Sequence, residues 1–287
     1  MVSWSDPGSV DYWPSYGLKF HRASEHFVEL ERLIAPYDNP RPYEVRHSIQ
    51  GKRQQHVYTD HAIGEPDPFI AVVLGELLFA LRSALDHLRV AIVPRKERYG
   101  PGFPIFTEDP FRRVPGSRKY VERSPDNRRR WISSVRGMDP RAIREIANVQ
   151  PFRWPQDQVP HMALAALSRL NNADKHRELV PVFHHLNPTE KILNGESQPV
   201  PPPPANGVYA NGATIHRSDR EMQVEACGAL VVVVAAPGPS DDAGYPIMKR
   251  CKTMLDYVEV LLGRLAVFDP DVPRLYELRD EIFGPLP

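Results

Sequence analysis

The sequence predicts an α+β protein with a mainly helical bundle at its core. Two observations favour this fold class. Apolar residues recur at helical spacing over several long segments, whereas short runs rich in β-branched residues occur after residue 43 and again after residue 178. We therefore expect an N-terminal hairpin and a small antiparallel β region in the C-terminal half.

The chain of 287 residues is long enough for one large domain, and we expect a single domain over 1–287. The helical core is predicted to span about 15–177 together with 245–268. A β-rich insertion of about 178–237 separates these two parts.

The first predicted elements are a helix and a hairpin. The helix runs from Ser15 to Ala35, with Ser15 as its N-cap and Pro36 as its stop signal. The segment Tyr43 to Asp60 contains two strand-like runs, and Gln50-Gly51-Lys52 supplies the turn between them.

The strongest helix signal extends from about Asp67 to Val93 and ends at Pro94. Apolar residues form one continuous stripe along it: Ile70, Val73, Leu74, Leu77, Leu81, Leu85, Leu88 and Ile92. A second face carries small residues, namely Ala80, Ala84 and Ala91. Because a helix that is apolar on most sides is usually buried, we place this one at the centre of the fold. The small face predicts a homodimer through this helix.

The remaining elements follow from the same patterns. Helices are predicted at Asp139 to Val149, Pro160 to Asp174 and Tyr245 to Phe268. Strands are predicted in "ELVPVFHHL" and "MQVEACGALVVVVAAP". The segment from Asn187 to Gly212, which contains four consecutive prolines, predicts a surface loop without strands.

Composition narrows the function classes. Lys+Arg and Asp+Glu both number 36, so no global positive field attracts nucleic acid or an anionic membrane. The two cysteines do not form a disulfide framework. The N-terminal sequence lacks the basic and apolar segments of a secretory signal, and no apolar run is long enough to span a bilayer. We expect a cytoplasmic protein that does not bind membranes and needs no cofactor.

Three polar residues stand inside the apolar run of the central helix. Arg82 and Asp86 are four residues apart and share a face, while His87 lies about 140° from Arg82. An arginine can bind phosphate as a planar fork, and a histidine can act as general acid or base near neutral pH. The alternative is that these residues are only structural: Arg82 and Asp86 form an ion pair, and His87 is hydrogen-bonded to a neighbouring part of the chain.

The segment "RSALDH", Arg82 to His87, resembles the R-x(4–6)-H signature of the HEPN superfamily, including the polar residue after the arginine, here Ser83. Members of that superfamily are helical bundles, many of which are metal-independent endoribonucleases that act as dimers. The resemblance implies that Arg82 clamps phosphate and that His87 is the catalytic general acid or base or the group that contacts the 2′-hydroxyl. We add Asp86 as a catalytic candidate and Ser83 as a substrate-binding candidate.

A second polar group, "NNADKHR", closes the helix that begins near Pro160. The cationic residues there suit the negative end of a helix dipole, which is one explanation for them. The other is a site, and we include four of these residues as substrate-binding candidates: Asn171, Asp174, Lys175 and His176. Together with "RSALDHL", this motif also resembles that of a set of uncharacterised bacterial proteins.

Other chemistries are less well supported. Asp86, His87, Asp174 and His176 have no spacing typical of a metal site, and we predict none. The arginine-rich stretch from Arg112 to Arg136 matches either an RNA-tracking surface or a solvated helix face. The sequence thus predicts a metal-independent ribonuclease or RNA-binding protein. The competing hypothesis is a non-catalytic protein in which Arg82, Asp86, His87 and the "DKHR" segment form a buried polar network.

Overall fold

The computed structural model describes residues 14–37, 43–52, 54–62, 65–111, 125–176, 179–193, 196–199, 208–210, 212, 214–235 and 246–272. Within these ranges the α-helices are α1 (Ser15–Ile34), α2 (Phe69–Ile92), α3 (Pro125–Val135), α4 (Pro140–Asn148), α5 (Val159–His176) and α6 (Ile247–Leu265). The strands are β1 (Tyr43–Gln50), β2 (Gln55–Ala62), β3 (Val180–Leu193), β4 (Glu196–Pro199), β5 (Val208–Ala210), β6 (Thr214–Ser218) and β7 (Val224–Ala235). The predicted α+β class with a mainly helical composition is confirmed.

The strands form two antiparallel sheets. The first has the order β1-β2-β6, and its hairpin pairs Tyr43 with Ala62 at one end and Gln50 with Gln55 at the other. Gly51 adopts a φ of 77° at the turn, a left-handed conformation that glycine takes without strain. The second sheet is built on β3, which pairs with β4, β5 and β7.

The prediction of a strand-free loop from Asn187 to Gly212 is wrong in part. β3 continues to Leu193, and β4 and β5 both pair with it. Pro199 ends β4 opposite Glu190, a strand-end position where a missing amide donor is tolerated. The prolines from Pro201 to Pro204 lie outside the described residues.

The chain divides into two compact units. The first comprises Met1–Phe27, Gly75–Asn172 and Lys252–Pro287, and the second comprises Val28–Leu74 and Ala173–Cys251. The single domain expected from the sequence stays a prediction.

In the first unit, the part of α2 after Gly75 is buried along its apolar stripe, including Leu77, Leu81, Leu85 and Leu88. Ala80 and Ala84 are buried as well, at 4% and 0% exposure. Ala91, the third residue of the small face, is only partly buried. The homodimer through this helix stays a prediction.

A buried glutamine fixes the segment that follows α2 in the first unit. Oε1 of Gln150 accepts a hydrogen bond from the Phe106 amide at 3.0 Å, and Nε2 donates to the carbonyls of Pro104 and Ile146, each at 3.0 Å. The Phe152 amide also donates to the Phe106 carbonyl. The connector Gly100 to Phe106 is therefore held against the end of α4 by specific polar contacts, although it has no regular secondary structure.

Candidate functional site

Arg82 and Asp86 form an ion pair on α2 and bind the connector together. Nη2 of Arg82 lies 3.0 Å from Oδ1 of Asp86 and donates a 2.7 Å hydrogen bond to the Phe103 carbonyl. Oδ1 of Asp86 accepts a 2.8 Å hydrogen bond from the Phe103 amide. Both main-chain polar groups of Phe103 are therefore satisfied by one ion pair, and we call these three residues the Phe103 clamp.

Arg89, one turn further along α2, makes a similar set of contacts with main-chain carbonyls. It is completely buried. Its guanidinium donates to the carbonyls of Ser134 at 3.0 Å, Glu97 at 2.8 Å, and Arg98 and Ser133 at 3.3 Å. Since a buried charge is costly unless it is hydrogen-bonded, these carbonyls explain how an arginine is accommodated in the core.

His87 faces a different part of the first unit. It lines an open cavity of about 400 Å³ that is formed by the start of α1, by α2 and by the segment after α6. We call this the His87 cavity. Its other lining residues are Pro14, Ser15, Tyr16, Val90, Ala91, Arg98, Asp269, Asp271 and Val272.

The environment of His87 favours a neutral imidazole. Burial lowers the pKa of His87, and the nearby positive charge of Lys19 lowers it further, against a smaller opposing effect of Asp86. A neutral imidazole has one nitrogen that can accept a proton, which is the requirement for a general base.

The ionisable groups on the opposite wall of the cavity influence one another. The Tyr16 hydroxyl and the Asp269 carboxyl lie close together, and burial is the main reason why the pKa of each group is raised. The amide of Asp271 donates to Oδ1 of Asp269 at 3.0 Å, and Nη2 of Arg98 lies 3.4 Å from Oδ2 of Asp271. The Arg98–Asp271 contact is long and partly exposed, so Arg98 is the cation here that an anion could recruit most easily.

The structure separates the residues that the sequence groups together. Arg82 and Asp86 bind the connector, and neither they nor Ser83 line the His87 cavity. Within one chain, Arg82 is therefore not part of the cavity that His87 lines. This agrees with the angle of about 140° between them on the helix.

The residues of the second motif differ in exposure. Asn171 is buried, and its Oδ1 has no hydrogen-bond partner among the described residues. Asp174 and Lys175 are exposed, and the side chain of His176 lies outside the description. Asp86 contacts Arg82 and the Phe103 amide, and its predicted network with Asp174, Lys175 and His176 stays a prediction.

Sequence reasoning missed five residues that now stand out. Arg89 could have been identified from the sequence. It is the third charged residue on one edge of an apolar helix, seven residues after Arg82, and a charge in that position requires buried partners. Tyr16, Arg98, Asp269 and Asp271 line the His87 cavity. They come from segments far apart in sequence, and no local pattern marks them.

Only part of the arginine-rich stretch can be placed. Arg129 and Arg130 lie exposed on α3, and Arg136 is exposed just after it. The residues from Arg112 to Arg123 lie outside the described ranges.

Among the described residues, no group of three or more His, Cys, Asp or Glu side chains is arranged to hold a metal ion. No helix in the described part of the chain is both long and apolar enough to cross a membrane. The chain matches no protein-family model, no curated protein and no solved structure. The HEPN resemblance therefore stays a prediction, and the site must be interpreted from its own geometry.

Proposed function

We propose that this protein binds RNA and cleaves it without a metal ion, with His87 as the general base. The observation that carries the proposal is the position of His87: a histidine on the central helix, with a lowered pKa, that opens into a cavity with Arg98 on its wall. The resemblance of "RSALDH" to the HEPN signature implies that the substrate is RNA.

The proposed reaction is transesterification at the ribose 2′-hydroxyl. The neutral imidazole of His87 takes the 2′-hydroxyl proton while the oxygen attacks the adjacent phosphorus. Arg98 offsets the charge that develops on the phosphate oxygens. The 5′ oxygen leaves and takes a proton from water, which yields a 2′,3′-cyclic phosphate and a 5′-hydroxyl end.

This proposal assigns Arg82 a role different from the one that the sequence predicts. Nη2 of Arg82 is engaged by Phe103 and Asp86, which supports a positioning role for Arg82 within one chain. The resemblance still implies a homodimer in which Arg82 of one copy faces His87 of the other. Light scattering at micromolar concentration tests for that dimer. We also propose that the protein is cytoplasmic.

Incubation of the purified protein with total RNA, with and without EDTA, tests the function. Cleavage that resists EDTA and leaves cyclic phosphate ends is expected. His87→Ala should lower the rate by roughly 10²–10⁴-fold without loss of the fold. Arg98→Gln should weaken RNA binding, and Arg95→Gln, an exposed arginine of the same segment, is its matched control. Unchanged cleavage by His87→Ala would reject the assignment.

A non-catalytic protein is the second candidate, and one observation favours it. The polar groups around α2 are largely satisfied by the chain itself, in the Phe103 clamp and around Arg89. If the purified protein leaves RNA intact and His87→Ala lowers the melting temperature, the structural alternative is favoured.

A further inference from the structure

A second cavity in the first unit lies next to the connector and α3. It has a volume of about 400 Å³ and is lined by Asp109, Phe111, Trp131, Ala147, Phe152 and Arg153. We call it the aromatic cavity. Its volume falls within the roughly 300–1,000 Å³ range of small-molecule sites, and neither candidate catalytic motif contributes to it.

Aromatic rings form much of its wall. Trp131 is buried, whereas Phe111 remains 42% exposed. The two ring centroids lie 6.0 Å apart at an interplanar angle of 82°. Trp131 is also packed against Phe106, which the Gln150 contacts hold in place. A rigid buried ring beside an exposed one provides a surface on which a planar ligand can stack.

The cavity is also lined by an acidic residue, Asp109, and a basic residue, Arg153, which do not form an ion pair with each other. Oδ1 of Asp109 accepts a 2.8 Å hydrogen bond from the Phe111 amide, and Oδ2 accepts none from the described residues. The Arg153 guanidinium lies 5.9 Å from the centroid of the Phe152 ring, and no ion pair joins it to another described residue. The ligand should therefore combine a planar ring, hydrogen-bond donors and a negative charge.

We propose that the aromatic cavity binds a guanine nucleotide. A carboxylate accepts hydrogen bonds and donates none, so Asp109 matches the two adjacent N–H donors on the Watson–Crick edge of guanine. Adenine presents an acceptor beside its single amino group and is disfavoured there. Phe111 supplies the stacking surface, and Arg153 pairs with the phosphate.

This inference does not depend on cleavage at His87. The aromatic cavity can hold a nucleotide whether or not the protein is a ribonuclease, and its test measures binding alone. Guanine binding that persists in His87→Ala would support the inference even if the proposed function failed.

Calorimetric titration of the full chain with guanosine monophosphate tests the proposal. Adenosine, cytidine and uridine monophosphates, guanosine and free tyrosine serve as comparison ligands. We expect saturable binding of guanosine monophosphate with a dissociation constant below about 1 mM. The monophosphates of the other bases should bind at least about tenfold more weakly. Guanosine without phosphate should bind more weakly, and the difference should shrink as salt is added.

Three variants assign the contacts. Asp109→Asn keeps an oxygen for the Phe111 amide but removes the carboxylate, so it should weaken guanine binding about tenfold and abolish the preference over adenine. Phe111→Ala, at an exposed ring, should weaken binding of all bases about tenfold. Arg153→Gln should reduce the nucleotide affinity to that of guanosine. Asp157→Asn, an exposed acid of the same region, is the matched control and should change nothing.

Several results would overturn the proposal. These are an absence of saturable binding for every nucleotide, a preference for another base or for tyrosine, and guanine binding that Asp109→Asn leaves intact. Thermal unfolding followed by circular dichroism verifies that each variant is folded, and a variant that fails this check is replaced by Asp109→Ser or Phe111→Leu.

Discussion

Asp86 and Gly102 approach each other so closely that no side chain fits between them. A Cβ atom on residue 102 would lie 2.4 Å from Oδ1 of Asp86 and 3.0 Å from Nη2 of Arg82. The glycine therefore allows the Phe103 clamp to close, because any larger residue would displace the Asp86 carboxylate or the connector.

The first prediction is that Gly102→Ala destabilises the protein by about 1–3 kcal/mol, because the added methyl group must displace the Asp86 carboxylate or the connector. Gly263→Ala is the matched control. Gly263 is exposed in α6 with open space at its Cβ position, so alanine should stabilise the helix by about 0.5–1 kcal/mol. Urea unfolding of both variants measures the difference, and equal midpoints would contradict it.

The second prediction concerns Arg89. Arg89→Met retains an apolar stem but leaves the carbonyls around the guanidinium without their donor, so we expect a loss of at least about 3 kcal/mol in the free energy of unfolding. Arg89→Lys should recover only part of it, since a lysine lacks the planar fork. The exposed Arg144→Met should change stability by less than about 0.5 kcal/mol. A stable Arg89→Met protein would show that the carbonyls find other partners.

The third prediction uses an isosteric change at Gln150. Gln150→Glu replaces the Nε2 donor by an oxygen that faces the carbonyls of Pro104 and Ile146. An unpaired buried carboxylate should cost about 3–5 kcal/mol at neutral pH. Acidification should restore part of this loss, because a protonated carboxyl can donate once. Gln156→Glu, at an exposed position, should show neither effect in thermal melts recorded across the pH range.

The fourth prediction concerns the titration of His87. The ring resonances of His87 in an NMR titration should report a pKa below the ordinary value of about 6.5. Lys19→Gln should move this pKa upward by removing the positive charge, but it should not restore the ordinary value, because burial remains the larger cause. An unchanged pKa in Lys19→Gln would exclude the electrostatic contribution.

The same shift predicts how stability depends on pH. The unfolded chain binds a proton at residue 87 more readily than the folded chain does, so the free energy of unfolding should fall as pH drops from about 6.5 to the lowered pKa of His87. Below that pKa the His87 contribution becomes constant. His87→Gln should remove this part of the pH dependence, and an identical pH profile for both proteins would argue against it.

The sequence predicts α2 almost to its ends because its signals are local. The apolar stripe and Pro94 place the end near Val93, and the helix ends at Ile92. The hairpin from Tyr43 is predicted for the same reason, since its turn and both its strands lie within 20 residues.

The partners of the polar residues could not be predicted, because their contacts are not local. Arg82 reaches Phe103 across 21 positions, and Arg89 reaches Ser134 across 45. Tyr16 and Asp269 meet from opposite parts of the chain. β4 and β5 were missed because their pairing depends on β3, whereas their own residues show no strand alternation.

Two glycines of the connector approach α2 closely, and together with the charged residues that they face they define a sequence pattern that can be searched for in other chains. Gly102 faces Asp86 and Arg82, and a Cβ on Gly100 would lie 2.4 Å from Nη2 of Arg89. Arg82, Asp86 and Arg89 are thus each matched to a glycine on the connector. Written along the chain, this is R-x(3)-D-x(2)-R-x(10)-G-x-G, a pattern that combines charges and glycines across a helix end. A chain that carries the whole pattern is expected to fold its connector in the same way, whereas a chain that keeps only the first arginine and the histidine after it is not.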